Sequence, residues 1–275
     1  MPYPTTTVHI TRVTAGVKSY AQDTLAAEEP LELRITYNEG NKTILKNISV
    51  TMRTPGNDEE LAIGFLFTEG IITLPTDVAG ITRISENIVL VTLAEGIVPV
   101  IKKLDRNFYT TSSCGVCGKA SIDAIKTYSD TAVQYPYDQL QFTPAFLCTL
   151  PGLLRTQQSV FELTGGIHAC ALFDAGGNLV ALREDVGRHN ALDKLIGYLL
   201  SAGMYPADAH VLLLSGRASF ELVQKAAMAG IKVIAAVGAP SSLAVQMTEE
   251  WNITLIGFLR NERFNIYSGA QRVAI

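Results

Sequence analysis

The sequence predicts a mixed α/β (α+β) fold, with an N-terminal antiparallel, strand-rich part and a C-terminal mixed sheet flanked by helices. In the N-terminal part, residues 31–37 and 48–53 alternate apolar and polar side chains with a period of two, as half-buried strands do. The C-terminal part has short strands that are apolar throughout and alternate with helical segments. We place the two parts at residues 1–109 and 110–275.

Composition and charge exclude several classes of protein. The chain has 275 residues, 48% hydrophobic and 17% charged, as in ordinary globular proteins. A net charge of −4 gives no electrostatic case for a nucleic-acid partner. No apolar run approaches the roughly 20 residues that span a bilayer, and the first residues do not form a secretory signal. Four cysteines in so long a chain fit a reducing compartment, so we expect a cytoplasmic protein without a membrane partner.

The N-terminal elements follow from local patterns. We expect an extended arm over residues 1–28, then two strands joined by a turn at residues 38–41. Asn57 or Asp58 should cap a helix, because acidic residues in a first helical turn are favoured by the helix dipole. Residues 81–93 return to the alternation of a strand. The simplest arrangement is an antiparallel meander.

Within the C-terminal part, we expect a helix that Thr143 caps, that Pro151 interrupts or restarts, and that Gly165 ends. Turn-forming residues 174–178 then join two strands as a hairpin. Three buried strands follow, with a helix before each of them. The strands lie at 211–214, 233–237 and 253–258, and the helices at 190–200, 219–229 and 241–250. This alternation predicts parallel strands with helices on both faces.

Three loops should lie side by side at the carboxyl ends of these strands, where open α/β sheets bind ligands. They are residues 215–217, 238–242 and 258–263. Glycine turns and helix N-termini bind phosphates through backbone N–H groups, and the arginines of the first and third loops could add charge-assisted bonds. The sequence therefore indicates an anionic ligand, such as a nucleotide.

A polar cluster at residues 183–190 combines charged side chains with a histidine between a strand and a helix. Its charge density is typical of a site, but Asp185 or Asn190 would serve equally well as a helix cap. His168 begins a strand and is two residues from Cys170. The roles of His168 and of the cluster stay open.

The pair Cys114 and Cys117 lies among serine, threonine and glycine, with a helix expected directly after it. The positive end of a helix favours the thiolate, the form that attacks sulfur and binds metal. We therefore favour a reactive thiol over half of a zinc site, which His168 and Cys170 would complete. A role in inert packing is the least favoured of the three. A zinc- or nucleotide-binding module without transfer chemistry and a CxxC dithiol oxidoreductase are the alternative functions.

Several motifs spread along the chain in one order carry a family resemblance. They are residues 112–119, 164–169, 183–194, 215–217, 238–244 and 257–260. Together they resemble the FdhD family, the formate dehydrogenase accessory sulfurtransferases, over residues 29–267. The resemblance implies a fold similar to that of the cytidine deaminases, without their chemistry, and a homodimer.

The resemblance also implies a sulfurtransferase that acts through a cysteine persulfide. Family members take sulfur from a cysteine desulfurase and pass it to molybdenum bis(molybdopterin guanine dinucleotide) before this cofactor enters formate dehydrogenase. Cys114 would carry the persulfide with Cys117 as partner or relay, or the reverse, while Cys148 and Cys170 would be buried packing residues. We expect no resident metal, and the bound client would be the whole cofactor or a guanine nucleotide. The expected contacts are Phe258, Leu259, Arg260, Asn261, Glu262 and Arg263, with Ser215, Arg217 and His189 as further candidates.

Overall fold

The structure, a computed structural model, describes residues 3–99 and 140–275. The predicted reactive pair, Cys114 and Cys117, and the proposed boundary at residue 109 lie outside the described residues. Within the described residues, no helix is long and apolar enough to cross a membrane.

The chain begins with a hairpin, so the extended arm expected over residues 1–28 is wrong. Strands β1 (Thr5–Thr14) and β2 (Val17–Ala26) pair antiparallel along their whole length. They are joined by Ala15 and Gly16, whose φ angles of 49° and 82° are both positive. That two-residue turn matches the twist of paired strands, but alanine is a rare residue at positive φ and gave no turn signal.

A four-stranded sheet follows, in the order β4-β3-β6-β5. Its strands are β3 (Glu29–Glu39), β4 (Lys42–Arg53), β5 (Val78–Ser85) and β6 (Ile88–Leu93). The strand expected over residues 81–93 is a β5–β6 hairpin that turns at residues 86–87. The antiparallel meander is also wrong in one pairing, because β6 lies parallel to β3. The intervening helix carries the chain across the sheet and makes this parallel pairing reachable.

That helix, α1 (Asp58–Thr68), begins without a side-chain cap, contrary to expectation. Asn57 takes the left-handed conformation, with φ of 56°. The Asp58 carboxylate is used elsewhere: it accepts from Arg53 Nε at 2.9 Å and from Arg83 Nη2 at 2.7 Å. The first-turn acid therefore anchors the helix to strands β4 and β5.

Among the described residues of the C-terminal part, the first two helices are α2 (Pro144–Gln157) and α3 (Ser159–Thr164). Pro151 lies within α2 without interrupting it, so the expected break at this residue is wrong. The helix breaks at Gln158 instead, where ψ is 83°. As expected, Gly165 ends the helical segment, in the left-handed conformation.

A six-stranded sheet forms the centre of the C-terminal part, in the order β12-β11-β10-β9-β7-β8. Its strands are β7 (His168–Phe173), β8 (Leu179–Asp185), β9 (Val211–Leu214), β10 (Val233–Ala236), β11 (Thr254–Arg260) and β12 (Arg263–Ser268). The helices between them are α4 (Arg188–Ser201), α5 (Phe220–Met228) and α6 (Ser242–Glu250). Strands β9, β10 and β11 are parallel, whereas β7 and β12 join antiparallel. The predicted fold class, with its mixed sheet flanked by helices, is confirmed.

Helices cover both faces of this sheet. On one face, α2 packs its buried Leu147 and Leu150 against sheet residues that include Leu213. On the other face, helices α4, α5 and α6 belong to a larger core, which also contains α1 and the inner face of the four-stranded sheet. The N-terminal and C-terminal parts therefore share one hydrophobic core.

The two parts are in close backbone contact where α1 crosses α4. A Cβ atom placed on Gly64 would lie 1.8 Å from the backbone O of Asp193. One placed on Gly197 would lie 1.9 Å from the backbone O of Glu60. Both distances are far below contact distance, so only glycine permits this backbone-to-backbone packing.

Candidate functional site

The topology brings most of the predicted site segments to a single edge of the six-stranded sheet. Strands β8, β9, β10 and β11 end at this edge, and the antiparallel strands β7 and β12 begin there. We call it the carboxyl edge. The strand termini that define it are His168, Asp185, Leu214, Ala236, Arg260 and Arg263.

The three loops that follow the parallel strands lie side by side, as predicted. Gly238 N donates to Gly216 O at 2.9 Å, and Phe258 N donates to Gly238 O at 3.1 Å. These hydrogen bonds extend the sheet beyond the strand ends. A Cβ on Gly257 would lie 2.9 Å from Pro240 Cδ, and one on Gly238 would lie 3.0 Å from Gly216 O. Glycine is therefore required for the loops to approach so closely.

The segment 258–263 is a strand connection, because β11 continues to Arg260 and β12 begins at Arg263. Phe258 and Asn261 have positive φ, each 54°, so the backbone turns sharply at both. Leu259 is fully buried in the core and offers a ligand only backbone atoms, whereas Phe258 is half-buried. The exposed side chains are Arg260, Asn261, Glu262 and Arg263.

In the loop after β9, one residue makes a structural hydrogen bond and another faces solvent. Ser215 Oγ accepts a hydrogen bond from Ala169 N at 2.8 Å, which ties the loop to β7. Arg217 is exposed and faces solvent. Ser219, which precedes α5, has a buried hydroxyl that makes no hydrogen bond within residues 3–99 and 140–275. By contrast, Ser241 caps α6, since its Oγ accepts from Ala244 N at 3.2 Å.

Part of the 183–190 cluster joins the two parts of the molecule. Arg183 forms a two-point ion pair with Glu60 of α1, with Nη2 2.7 Å from Oε1. Asp185 pairs with Lys194 Nζ at 2.7 Å and accepts from Thr54 N at 3.1 Å. Burial raises the pKa of Asp185, and the Lys194 ammonium opposes this. These residues act in the structure, as does Glu184, which accepts from two backbone N–H groups at the start of α3.

The remaining members of the cluster face the carboxyl edge. His168 is half-buried, and its Nδ1 would be 3.4 Å from a Cβ on Gly216. Burial lowers the pKa of His168, Arg188 and then His189 lower it further, and Asp185 opposes them. The Arg188 Nε atom is buried and has no hydrogen-bond partner among the residues described by the structure. His189 is only 6% exposed, and its Nε2 lies 2.7 Å from Glu221 Oε2 of α5.

The two described cysteines are poor nucleophiles. Burial raises the pKa of the Cys170 thiol, and the Asp193 and Asp185 carboxylates raise it further. Burial also raises the pKa of Cys148, and Glu262 adds to the effect. Cys170 is buried as expected, whereas Cys148 is only partly buried. Since the thiolate is the reactive form, neither residue is suited to sulfur transfer.

The zinc set considered from the sequence would need Cys114 and Cys117, which lie outside the described residues. Among residues 3–99 and 140–275, no group of three or more His, Cys, Asp or Glu side chains is arranged to hold a metal ion. His168 and Cys170 point toward α4, and the Cys170 Sγ is 3.9 Å from the backbone O of Arg188.

Sequence reasoning missed the unpartnered groups at the carboxyl edge. Arg188 was part of a cluster of open role, and Ser219 was an ordinary helix start. The signal in the sequence was the position of these residues next to strand ends. His168, Arg188 and Ser219 all adjoin strand ends that a mixed sheet brings to one side. Local sequence patterns could not show which acidic side chains have partners elsewhere in the fold.

Comparison with known proteins shows the same family along the whole chain. A family model described as the FdhD/NarQ family matches residues 26–274. "Sulfur carrier protein FdhD" of Mycolicibacterium paratuberculosis is 50% identical over 273 residues, covering 96% of this chain and 97% of the relative. The protein of the same name from Streptomyces coelicolor is 49% identical over 276 residues, covering 97% and 94%.

A solved structure shows the same fold. It is a Desulfotalea psychrophila protein that is provisionally described as a formate dehydrogenase accessory protein. It matches with a TM-score of 0.77 at 22% identity, over 98% of this chain and 100% of that chain. The family match and the curated relatives agree along the sequence, and the chain therefore belongs to the FdhD/NarQ family.

Proposed function

We propose that this protein is a sulfur carrier for formate dehydrogenase. It takes persulfide sulfur from a cysteine desulfurase and passes it to the bis-guanine-dinucleotide molybdenum cofactor, its substrate, in the cytoplasm. The observation that carries the proposal is the near full-length similarity to relatives named "Sulfur carrier protein FdhD". As in the resemblance found from the sequence, we expect the carrier to act as a homodimer.

The first transfer would be an exchange without net oxidation. The Cys114 thiolate attacks the outer sulfur of the desulfurase persulfide, the sulfur–sulfur bond of the donor breaks, and the donor leaves as a thiolate. Cys114 then carries the persulfide. The described thiols support a carrier within the Cys114–Cys117 pair by elimination, because burial raises the pKa of both Cys148 and Cys170.

The second transfer would use Cys117. Its thiolate attacks the inner sulfur of the Cys114 persulfide, which forms a Cys114–Cys117 disulfide and releases hydrosulfide for the metal. Two electrons pass from the cysteine pair to the released sulfur, so a dithiol reductant must restore the pair before the next cycle. The alternative order, with Cys117 as carrier, uses the same chemistry.

The carboxyl edge would bind the guanine nucleotides of the cofactor. Its joined glycine loops expose backbone, and the exposed Arg217, Arg260 and Arg263 can form forked bonds to phosphate oxygens. This arrangement supports binding of an anion over the length of the edge. It gives no comparable support to an uncharged ligand.

The test is to incubate the protein with a cysteine desulfurase and free cysteine, and to measure intact mass. Wild type should gain sulfur that reducing agent removes. Cys114→Ala should abolish the gain, while Cys148→Ala, the matched control, should keep it. Loss in Cys117→Ala alone would reverse the two roles without changing the function.

The other functions make different predictions. A zinc-binding module would gain no sulfur and would purify with stoichiometric zinc. A dithiol oxidoreductase would reduce unrelated disulfides rapidly, whereas a carrier should be slow in that assay. Absence of sulfur on wild type, with either of these results, would overturn the proposed function.

A further inference from the structure

Basic and hydroxyl groups lie unpartnered at one end of the carboxyl edge, beside β7, β8 and the start of α5. Arg188 Nε and Ser219 Oγ are both buried, and neither atom has a hydrogen-bond partner among residues 3–99 and 140–275. His168 lies against the loop at Gly216, and Arg188 is close enough to lower the pKa of His168. Buried polar groups are nearly always hydrogen-bonded, so each such group needs an explanation.

The nearby carboxylates do not supply the missing partners. Asp185 is held by Lys194 at 2.7 Å. Glu184 accepts from two backbone N–H groups, and Glu221 lies 2.7 Å from His189. Among the described residues, no carboxylate lies within ion-pair distance of Arg188. Within the part of the chain that the structure describes, the Arg188 guanidinium is therefore left without an ionic partner at this end of the edge.

We infer that Arg188, His168 and Ser219 form a binding subsite for a pyrophosphate-type oxyanion, free or carried by a nucleotide. A guanidinium can donate two parallel bonds to such an oxyanion, and the Ser219 hydroxyl can donate a third. The N–H groups at the start of α5 lie at the same edge and favour negative charge.

This subsite is distinct from the 258–263 segment. That segment lies at β11, which is three strand spacings, or about 14 Å, from β7 with His168, and two spacings, or about 10 Å, from β9, which Ser219 follows. Binding of pyrophosphate itself does not depend on the proposed sulfur-carrier function. Only the assignment of a guanine nucleotide as the natural source of the anion rests on that function.

The test is calorimetric titration of the full chain with inorganic pyrophosphate. Arg188→Gln should weaken binding at least about tenfold, because it removes charge-assisted bonds. The matched control is Arg12→Gln, which removes one positive charge from an exposed position on β1 and should bind as wild type does. Equal affinity in wild type and Arg188→Gln would overturn the inference, as would equal weakening in both variants.

Further titrants identify the source of the anion. GDP that binds more tightly than pyrophosphate, with the same dependence on Arg188, would assign a nucleotide. Pyrophosphate that binds as tightly as GDP would assign the free anion. Guanosine, which has no phosphate, should bind without any dependence on Arg188, and a dependence there would contradict the subsite.

A second measurement does not need a variant. Nuclear magnetic resonance of wild type should show the pKa of His168 rising when pyrophosphate is added, because a nearby anion favours the imidazolium. The charged groups facing His168 are Arg188, His189 and Asp185, so the shift is measured against that fixed surrounding. An unchanged pKa would overturn the inference even if Arg188→Gln failed to fold. Sulfur loading of wild type is an independent readout, so failure of the proposed function is distinguishable.

Discussion

Buried polar groups differ in their partners between two regions of the molecule. One region is the interface of the N-terminal and C-terminal parts, around Thr68, Asp185, Asp193, Lys194 and Lys225, which we call the joint, and the other is the carboxyl edge. At the joint, Lys225 Nζ is 2.9 Å from both oxygens of Asp193 and 2.8 Å from Thr68 Oγ. At the edge, Arg188 Nε and Ser219 Oγ are buried and have no hydrogen-bond partner within the described part of the chain. The difference distinguishes polar groups that stabilise the fold from polar groups that are available to a ligand. The 183–190 motif contributes to both, because Asp185 belongs to the joint and Arg188 to the carboxyl edge.

The comparison has a structural logic. A buried charge without a partner is strongly unfavourable, so the charges buried at the joint are matched within the chain. A ligand site must leave some donors unmatched until the ligand arrives. Variants at the joint should therefore change stability, and variants at the edge should change binding.

The largest effect is expected from Lys194→Met at the joint. It should lower the free energy of unfolding by about 3–5 kcal/mol, because Asp185 would stay buried without its ammonium partner. Burial raises the pKa of Asp185, and a folded-state pKa above the unfolded value gives stability that is lost as pH rises. The deficit measured by urea unfolding should therefore be larger near pH 8 than near pH 5.

The matched control for this variant is Arg34→Gln. Arg34 pairs with Glu32 on the partly exposed outer face of the four-stranded sheet, so its loss should leave the urea midpoint nearly unchanged. Equal loss of stability in the two variants would contradict the distinction between joint and surface.

Gly64→Ala should cause the next largest loss of stability. The new Cβ would lie 1.8 Å from the Asp193 backbone O, so α1 and α4 would have to separate, at a cost of about 3 kcal/mol. Gly152→Ala is the control, because no atom lies within 4 Å of a Cβ placed there. In the exposed Gly152 position of α2, alanine should raise the melting temperature slightly, since it favours helix by up to about 1 kcal/mol.

Ser241→Ala compared with Ser219→Ala tests the edge. The Ser241 hydroxyl caps α6, so its removal should cost about 1 kcal/mol of stability. The Ser219 hydroxyl makes no hydrogen bond to any residue that the structure describes, so its removal should leave unfolding unchanged while weakening pyrophosphate binding. Equal loss of stability in the two variants would show that Ser219 is an ordinary cap.

The smallest effect is expected from His168→Gln. Burial lowers the pKa of His168, so the unfolded chain binds this proton more readily and acidification through the ordinary histidine range destabilises the fold. Glutamine removes that contribution, so thermal unfolding should depend less steeply on pH below about 6.5. A variant with the same acid profile as wild type would show that His168 keeps an ordinary pKa.

The sequence by itself determined the elements that local patterns encode. Period-two alternation identified β3 and β4, and apolar runs between helices identified β9, β10 and β11. Glycine and arginine at the strand ends indicated an anionic ligand, and separate motifs in order indicated the family, which comparison confirmed. The reactive role of Cys114 and Cys117 stays a prediction.

Tertiary structure alone decided the contacts between distant residues. It placed β6 parallel to β3, made Gly64 and Gly197 irreplaceable, and assigned Asp185 to the joint. The bond from Thr54 N to Asp185 spans 131 residues, a separation at which local sequence sets neither partner. The physical reason is that the role of a charged side chain depends on residues distant in sequence. When the fold places an opposite charge against it, the side chain stabilises the fold, and otherwise it is available to a ligand.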